Sequence, residues 1–212
     1  IPKGYESLYT EKSIRMPSCY QCNDNTKEIC QEAITRKEYN LPEKGFVFTS
    51  FCANKKITPK EFDIWMRLLT KVKGSVLWLS KSNQYSMENL IKEAEKRNID
   101  PNRLVFANKL PLLKKHLSRY SLGDLGLDTF NFNGHTTTSD ALWAGLPVLT
   151  KIGESFAARV SASILTSIGL PELVTHSESE YEEKALHIAQ NPDVLIRLKS
   201  KLDISKETSP LF

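Results

Sequence analysis

From Phe46 onward, short runs of β-branched, aromatic and aliphatic residues alternate with longer stretches in which apolar positions recur every three or four residues. Phe46-Val47-Phe48-Thr49-Ser50-Phe51 predicts a buried strand, and Pro59 to Lys71 predicts a helix with Phe62, Trp65, Leu68 and Leu69 on one face. The unit recurs: strands at Ser75 to Leu79, Leu104 to Phe106, Leu125 to Leu127 and Pro147 to Leu149 are separated by helices at Met87 to Asn98, Leu112 to Tyr120 and Thr137 to Ala144. Helices near Ala157 to Ile168, Glu178 to Ala189 and Pro192 to Leu202 close the pattern. Alternation of this kind predicts an α/β fold, a Rossmann-like parallel sheet with helices on both faces.

Residues 1–45 lack that rhythm. Pro2, Pro17 and Pro42 and the polar run Asn23-Asp24-Asn25-Thr26-Lys27-Glu28 predict an extended connector, with at most a short helix around Thr35 to Tyr39. The expected division is therefore a connector over 1–45 and a nucleotide-binding lobe over 46–212. There is no internal repeat and no low-complexity tract.

Within the lobe, Asn133-Gly134-His135-Thr136-Thr137-Thr138-Ser139-Asp140 combines a glycine, an imidazole and a row of hydroxyls immediately before helix-forming residues. The first turn of a helix has unpaired N–H groups and the positive end of the helix dipole, so such a start suits a phosphate. His135, Thr136 and Thr137 can add donors. Asp140, one turn further on, can only accept, which suits ribose hydroxyls. The same residue types also serve as ordinary helix caps, and the local pattern alone leaves both readings open. In a parallel sheet ligands bind beyond the carboxyl ends of the strands. Lys56, just after the first strand, and the His135 loop, just after the fourth or fifth, both fall at that edge and are expected to converge.

Composition narrows the class without naming it. A 212-residue chain that is 40% hydrophobic can bury a sizeable core. No apolar run approaches the roughly 18 residues of a membrane helix, and Ile1-Pro2-Lys3-Gly4 does not open a signal peptide, so no membrane partner and a cytoplasmic location are expected. The net charge of +4 is interleaved with acidic residues, and nucleic acid is not implied. Cys19-Tyr20-Gln21-Cys22 has the spacing of a redox or zinc pair, but structural zinc needs about four ligands and Cys30 and Cys52 are scattered. Reduced thiols at the end of a strand-like segment, with no metal, are expected.

The stretch from Asp128-Thr129-Phe130 through Gly134-His135-Thr136-Thr137 and Asp140-Ala141-Leu142-Trp143-Ala144-Gly145-Leu146-Pro147 to Ser155-Phe156-Ala157-Ala158-Arg159-Val160 resembles the C-terminal catalytic lobe of the O-GlcNAc transferase family. Arg15-Met16-Pro17, Lys56-Ile57-Thr58-Pro59, Ser75-Val76-Leu77-Trp78-Leu79 and Ser209-Pro210-Leu211-Phe212 extend the resemblance over nearly the whole chain. It implies the C-terminal lobe of a GT-B glycosyltransferase that binds UDP-N-acetylglucosamine or UDP, uses no metal or other cofactor, and transfers N-acetylglucosamine with inversion to Ser or Thr of proteins.

Residue by residue, the resemblance implies that Lys56 stabilises the charge on departing UDP, that His135, Thr136 and Thr137 contact the diphosphate and Asp140 the ribose, and that His116 and Arg119 border the uridine pocket. Departures stand beside these. Ala53 replaces an amide residue facing the diphosphate, with Asn54 the nearest amide, and Leu113 replaces a lysine, with Lys114 beside it. No motif for the base that activates the acceptor is visible. Family enzymes engage protein acceptors through an N-terminal catalytic lobe and tetratricopeptide repeats that this sequence does not include, so the 212 residues alone are expected to be inactive. Relatives using GDP-fucose or UDP-glucose are an alternative; the Spindly type carries Thr where this chain has His135. A non-catalytic nucleotide-binding module is another.

Overall fold

The computed structural model describes residue 1 and residues 3–212; Pro2, one of the expected connector prolines, lies outside the described residues. Six strands form one parallel sheet: β1 (Val47–Ser50), β2 (Val76–Ser80), β3 (Leu104–Ala107), β4 (Leu125–Leu127), β5 (Val148–Lys151) and β6 (Val174–Thr175), in the order β3-β2-β1-β4-β5-β6. β1 pairs with β2 from Val47 opposite Val76 and with β4 from Phe48 opposite Leu125. The chain builds outward from β1 to β3, then returns to place β4 on the other side of β1. The carboxyl ends of β1 and β4 thus flank the point where strand order reverses, the place where α/β sheets hold ligands.

Among the described residues seven α-helices cover the sheet: α1 (Pro59–Lys71), α2 (Gln84–Glu95), α3 (Leu113–Ser118), α4 (Thr136–Trp143), α5 (Val160–Ser167), α6 (Glu178–Gln190) and α7 (Pro192–Thr208). The start of α1 follows from local chemistry. Pro59 takes the first helical position, and the buried Glu61 carboxylate accepts from the Thr58 N–H at 2.9 Å and from the Thr58 hydroxyl. Phe62, Trp65, Leu68 and Leu69 are buried as the periodicity predicts. The Trp65 indole N–H donates to the Tyr181 hydroxyl of α6, and Tyr181 donates to the carbonyl of Asp128 at the end of β4, each at 3.3 Å. Two helices are thereby tied to the strand end that carries the candidate site.

Several elements differ from expectation; α7 runs on to Thr208, six residues past the expected Leu202, and α5 starts at Val160 after a 3-10 turn, Phe156–Ala158. α2 begins three residues early because Asn83, not a residue nearer Met87, accepts the Ser86 N–H at 2.9 Å; it stops at Glu95 because the chain turns and Asn98 adopts a left-handed φ of 60°. The helix expected to Tyr120 ends at Ser118 and tightens into a 3-10 turn, Arg119–Leu122. β6 has only two residues, too short for an alternating pattern to register.

Among its described residues the connector carries 3-10 turns at Glu6–Leu8 and Arg36–Tyr39 and no strand, so the strand-like segment expected beside Cys19 and Cys22 is irregular chain with both thiols free. Arg36 anchors its far end, donating to the carbonyls of Leu122 and Gly45 and pairing with Asp124 at 2.8 Å. The same Asp124 oxygen accepts the N–H of Val47 at 2.7 Å, which clamps the connector to the amino end of β1. No helix among the described residues is long and apolar enough to cross a membrane.

Candidate functional site

β1 leads into a 3-10 turn, Asn54–Lys56, and β4 into the irregular loop that starts α4. These two segments meet. The Lys56 ammonium donates to the carbonyl of Asn133 at 3.1 Å and stands 4.0 Å from the centre of the Phe132 ring. The His135 imidazole also stacks on Phe132, with ring centres 5.0 Å apart and planes 17° apart. The convergence expected of Lys56 and His135 is therefore present, and Phe132 is the surface that both share.

The loop is held by a buried acceptor. Asp128, at the end of β4, accepts from the Gly134 N–H and the Thr150 hydroxyl, both at 2.7 Å. Asn133 donates from its side chain to the Thr129 carbonyl at 2.7 Å and from its backbone to Ala157 at 2.9 Å. Ser161 of α5 donates to the Gly134 carbonyl and shares a hydrogen bond with Thr138, both at 2.8 Å. A β-carbon at Gly134 would lie 2.5 Å from the Thr138 hydroxyl oxygen, so the close approach of loop and helix requires glycine there. Among the described residues the N–H groups of Thr136, Thr137 and Thr138 have no acceptor. They are the free donors of a helix start, and their loop is fixed before anything binds.

His135 is half-buried; its Nδ1 lies 2.7 Å from the Tyr20 hydroxyl, while Nε2 is buried without a partner. Burial lowers its pKa, and the nearby Lys56 charge lowers it further. With Tyr20 as donor, the neutral ring carries its hydrogen on Nε2, which leaves one N–H available. Asp128 is pushed the other way: burial raises its pKa to about 6, and the bonds it accepts from Thr150 and Gly134 limit that rise.

A second cluster lines the rim on the β1 side. Arg119 is only 3% exposed, and its guanidinium stacks 4.4 Å from the centre of the Phe51 ring. It donates to the Asn108 carbonyl at 2.6 Å and meets His116 Nδ1 at the same distance. Burial, then the Arg119 charge, lowers the His116 pKa to about 4, so this imidazole is neutral at physiological pH. Three residues of spacing bring the two together as expected, although Arg119 stands just beyond the end of α3. Neither is a freely solvated helix-surface residue: Arg119 is buried against the Phe51 ring and held by Asn108 and His116.

Asp140 is buried on α4 and accepts from Lys27 at 2.7 Å. Thr136 is exposed and Thr137 half-buried at the helix start. The substituted positions do not rebuild the expected contacts locally: Asn54 turns its amide toward Ser86 at 3.4 Å, and Lys114 pairs with Glu28 of the connector at 3.5 Å. Three further residues complete the site without a sequence motif of their own: Tyr20, Lys27 and Asp128. Asp128 had a signal, an acidic residue ending an apolar strand, whereas nothing in the polar run around Lys27 distinguishes it from a solvated linker. No group of three or more His, Cys, Asp or Glu placed to hold a metal occurs among the described residues.

Comparison with known proteins identifies the family and the fold. The chain is 34% identical over its whole length to a probable UDP-N-acetylglucosamine–peptide N-acetylglucosaminyltransferase, SEC, of Arabidopsis thaliana, and covers 22% of that protein. It is 37% identical over 84% of its length to the UDP-N-acetylglucosamine–peptide N-acetylglucosaminyltransferase of Caenorhabditis elegans, covering 15% of it. A mutant O-GlcNAc transferase of Thermobaculum terrenum superposes with a TM-score of 0.85 at 28% identity, over 98% of this chain and 39% of that one. The chain thus spans between about a seventh and a fifth of the length of these curated relatives, and its sheet is that of one lobe of a GT-B glycosyltransferase. With residues 13–212 matching the family as a continuous stretch, the chain belongs to glycosyl transferase family 41.

Proposed function

We propose that this chain is the donor-binding lobe of a protein O-linked N-acetylglucosaminyltransferase, binding UDP-N-acetylglucosamine for inverting transfer to Ser or Thr. The observation that carries this reading is that, at the reversal point of the sheet, the Lys56 ammonium is bonded to the Asn133 carbonyl of the loop that leads into the unpaired N–H groups of Thr136 to Thr138. A diphosphate at the α4 start takes those N–H groups, the His135 Nε2–H and the Thr136 and Thr137 hydroxyls, with Lys56 alongside. The uracil packs at the His116–Arg119 face and the ribose reaches Asp140.

In the transfer, the acceptor hydroxyl attacks the anomeric carbon from the face opposite UDP. The new carbon–oxygen bond forms as the bond to the β-phosphate breaks. The electron pair leaves with UDP, where Lys56 and the helix start receive the charge. The hydroxyl proton leaves to a base that none of these residues supplies. That base, the acceptor and the face that holds it fall to a second lobe, so the 212 residues alone bind donor and transfer nothing.

Titration calorimetry tests the donor reading. UDP is expected to bind with the same affinity in the presence and absence of a chelator, because the cations and N–H groups of the site neutralise the diphosphate. Binding that vanishes with chelator would overturn the metal-free reading. His135→Ala is expected to weaken UDP by about 1–3 kcal/mol, the range for charge-assisted bonds, and to leave uridine nearly unaffected. Asp140→Ala should weaken UDP and uridine alike. Equal losses for both ligands in His135→Ala would remove His135 from the diphosphate.

A further inference from the structure

The connector crosses the carboxyl edge of the sheet as a strap fixed mainly through backbone groups. Ser167 donates to the Ser18 carbonyl at 3.0 Å, the Trp143 indole to the Lys27 carbonyl at 3.0 Å, and the Cys30 N–H to the Lys114 carbonyl at 3.2 Å. With its own carbonyl held by Trp143, Lys27 directs its ammonium to Asp140 at 2.7 Å; the two side chains are only 15% and 9% exposed. Burying both charges has a desolvation cost that their attraction alone offsets poorly. It also leaves hydrogen-bonding capacity on both partners. An ammonium has three N–H donors and only one of these meets Asp140, while Asp140 Oδ1 is engaged and Oδ2 has no donor among the described residues.

A donor and an acceptor side by side match a vicinal diol, in which one hydroxyl donates to the carboxylate and its neighbour accepts from the ammonium. The diol lies where a nucleotide would put it. Asp140 is four residues along α4 from Thr136, about 6 Å at the helical rise, a span that fits between a diphosphate and its ribose. We propose that Lys27 is a specificity-determining residue which, with Asp140, reads the 2′,3′-diol of the nucleotide bound at the start of α4, making the connector a wall of the site. This rests on the nucleotide reading above.

The test compares UDP with 2′,3′-dideoxy-UDP by calorimetry on the 212-residue chain. The unsubstituted chain is expected to prefer UDP at least tenfold. Lys27→Met should reduce that preference to about twofold by weakening UDP alone, since a lost hydrogen bond to a charged group is worth about tenfold, and Lys27→Arg should restore part of it. Lys27→Met leaves the Asp140 charge unpaired, so the double variant Lys27→Met/Asp140→Asn, which removes both charges, is measured beside it. It should melt near the unsubstituted chain and show no preference. Equal weakening of both ligands by Lys27→Met would make Lys27 a structural clamp and overturn the proposal. An undiminished preference for UDP in the double variant would also overturn it while leaving the nucleotide reading standing. Failure of the unsubstituted chain to bind either ligand would overturn both.

Discussion

Asp128→Ala is expected to destabilise the chain by about 2–6 kcal/mol, because it strips the Gly134 N–H and the Thr150 hydroxyl of a buried acceptor and each orphaned donor costs about 1–3 kcal/mol. The loop before α4 then loses its anchor and UDP binding should fall with it. Asp128→Asn separates the hydrogen bonds from the charge. In the fold the Asp128 pKa is pushed up to about 6 from 3.8, so between these values the folded state binds more protons than the unfolded one. The stability from this group is therefore full below about pH 4 and is lost as pH rises through 6, by about 1.4 kcal/mol per pH unit over that window. Asparagine does not titrate. Urea unfolding of both forms at pH 4, 5, 6 and 7 should show Asp128→Asn gaining on the parent by roughly 2–3 kcal/mol in total. A constant difference across the series would mean that Asp128 ionises as freely in the fold as out of it.

The role of Asp128 marks where sequence reading stops. The alternation of strands and amphipathic helices was legible because both faces of the sheet are covered, which leaves β1 as an unbroken buried run and imposes a helical period on α1. Parallel order then placed Lys56 and His135 at one edge without any knowledge of side-chain contacts. Their shared partner Phe132 was not visible, since an aromatic residue in a loop has the composition of core. The connector was the least legible part. Tyr20 and His135 are 115 positions apart, and Lys27 and Asp140 are 113 apart. An irregular strap has no period to show which of its side chains turn inward. His116 and Arg119 fall between these cases: their spacing predicted a common face, but the Phe51 ring that makes that face a buried surface comes from the end of another strand.

Lys56→Ala is expected to have the largest effect on catalysis, in a two-lobed protein in which this chain forms the donor lobe. The ammonium is held against the Asn133 carbonyl and the Phe132 ring, so no rearrangement is needed when charge reaches the leaving diphosphate. On the proposed reading, the two negative charges of ground-state UDP-N-acetylglucosamine are shared with the α4 N–H groups and His135, and loss of Lys56 should weaken its binding by about tenfold. The bond to the anomeric carbon then breaks and a further charge develops on the β-phosphate. Removing a donor aimed at developing charge typically lowers turnover by about 10²–10³. Steady-state transfer of radiolabelled sugar to a protein acceptor should therefore show kcat falling by more than KM rises. Lys56→Arg should recover donor binding more than turnover, because a planar guanidinium cannot place a compact charge between the carbonyl and the ring. A rise in KM with unchanged kcat would show that Lys56 binds donor and transition state equally, and the charge on the leaving UDP would then fall to the helix start alone.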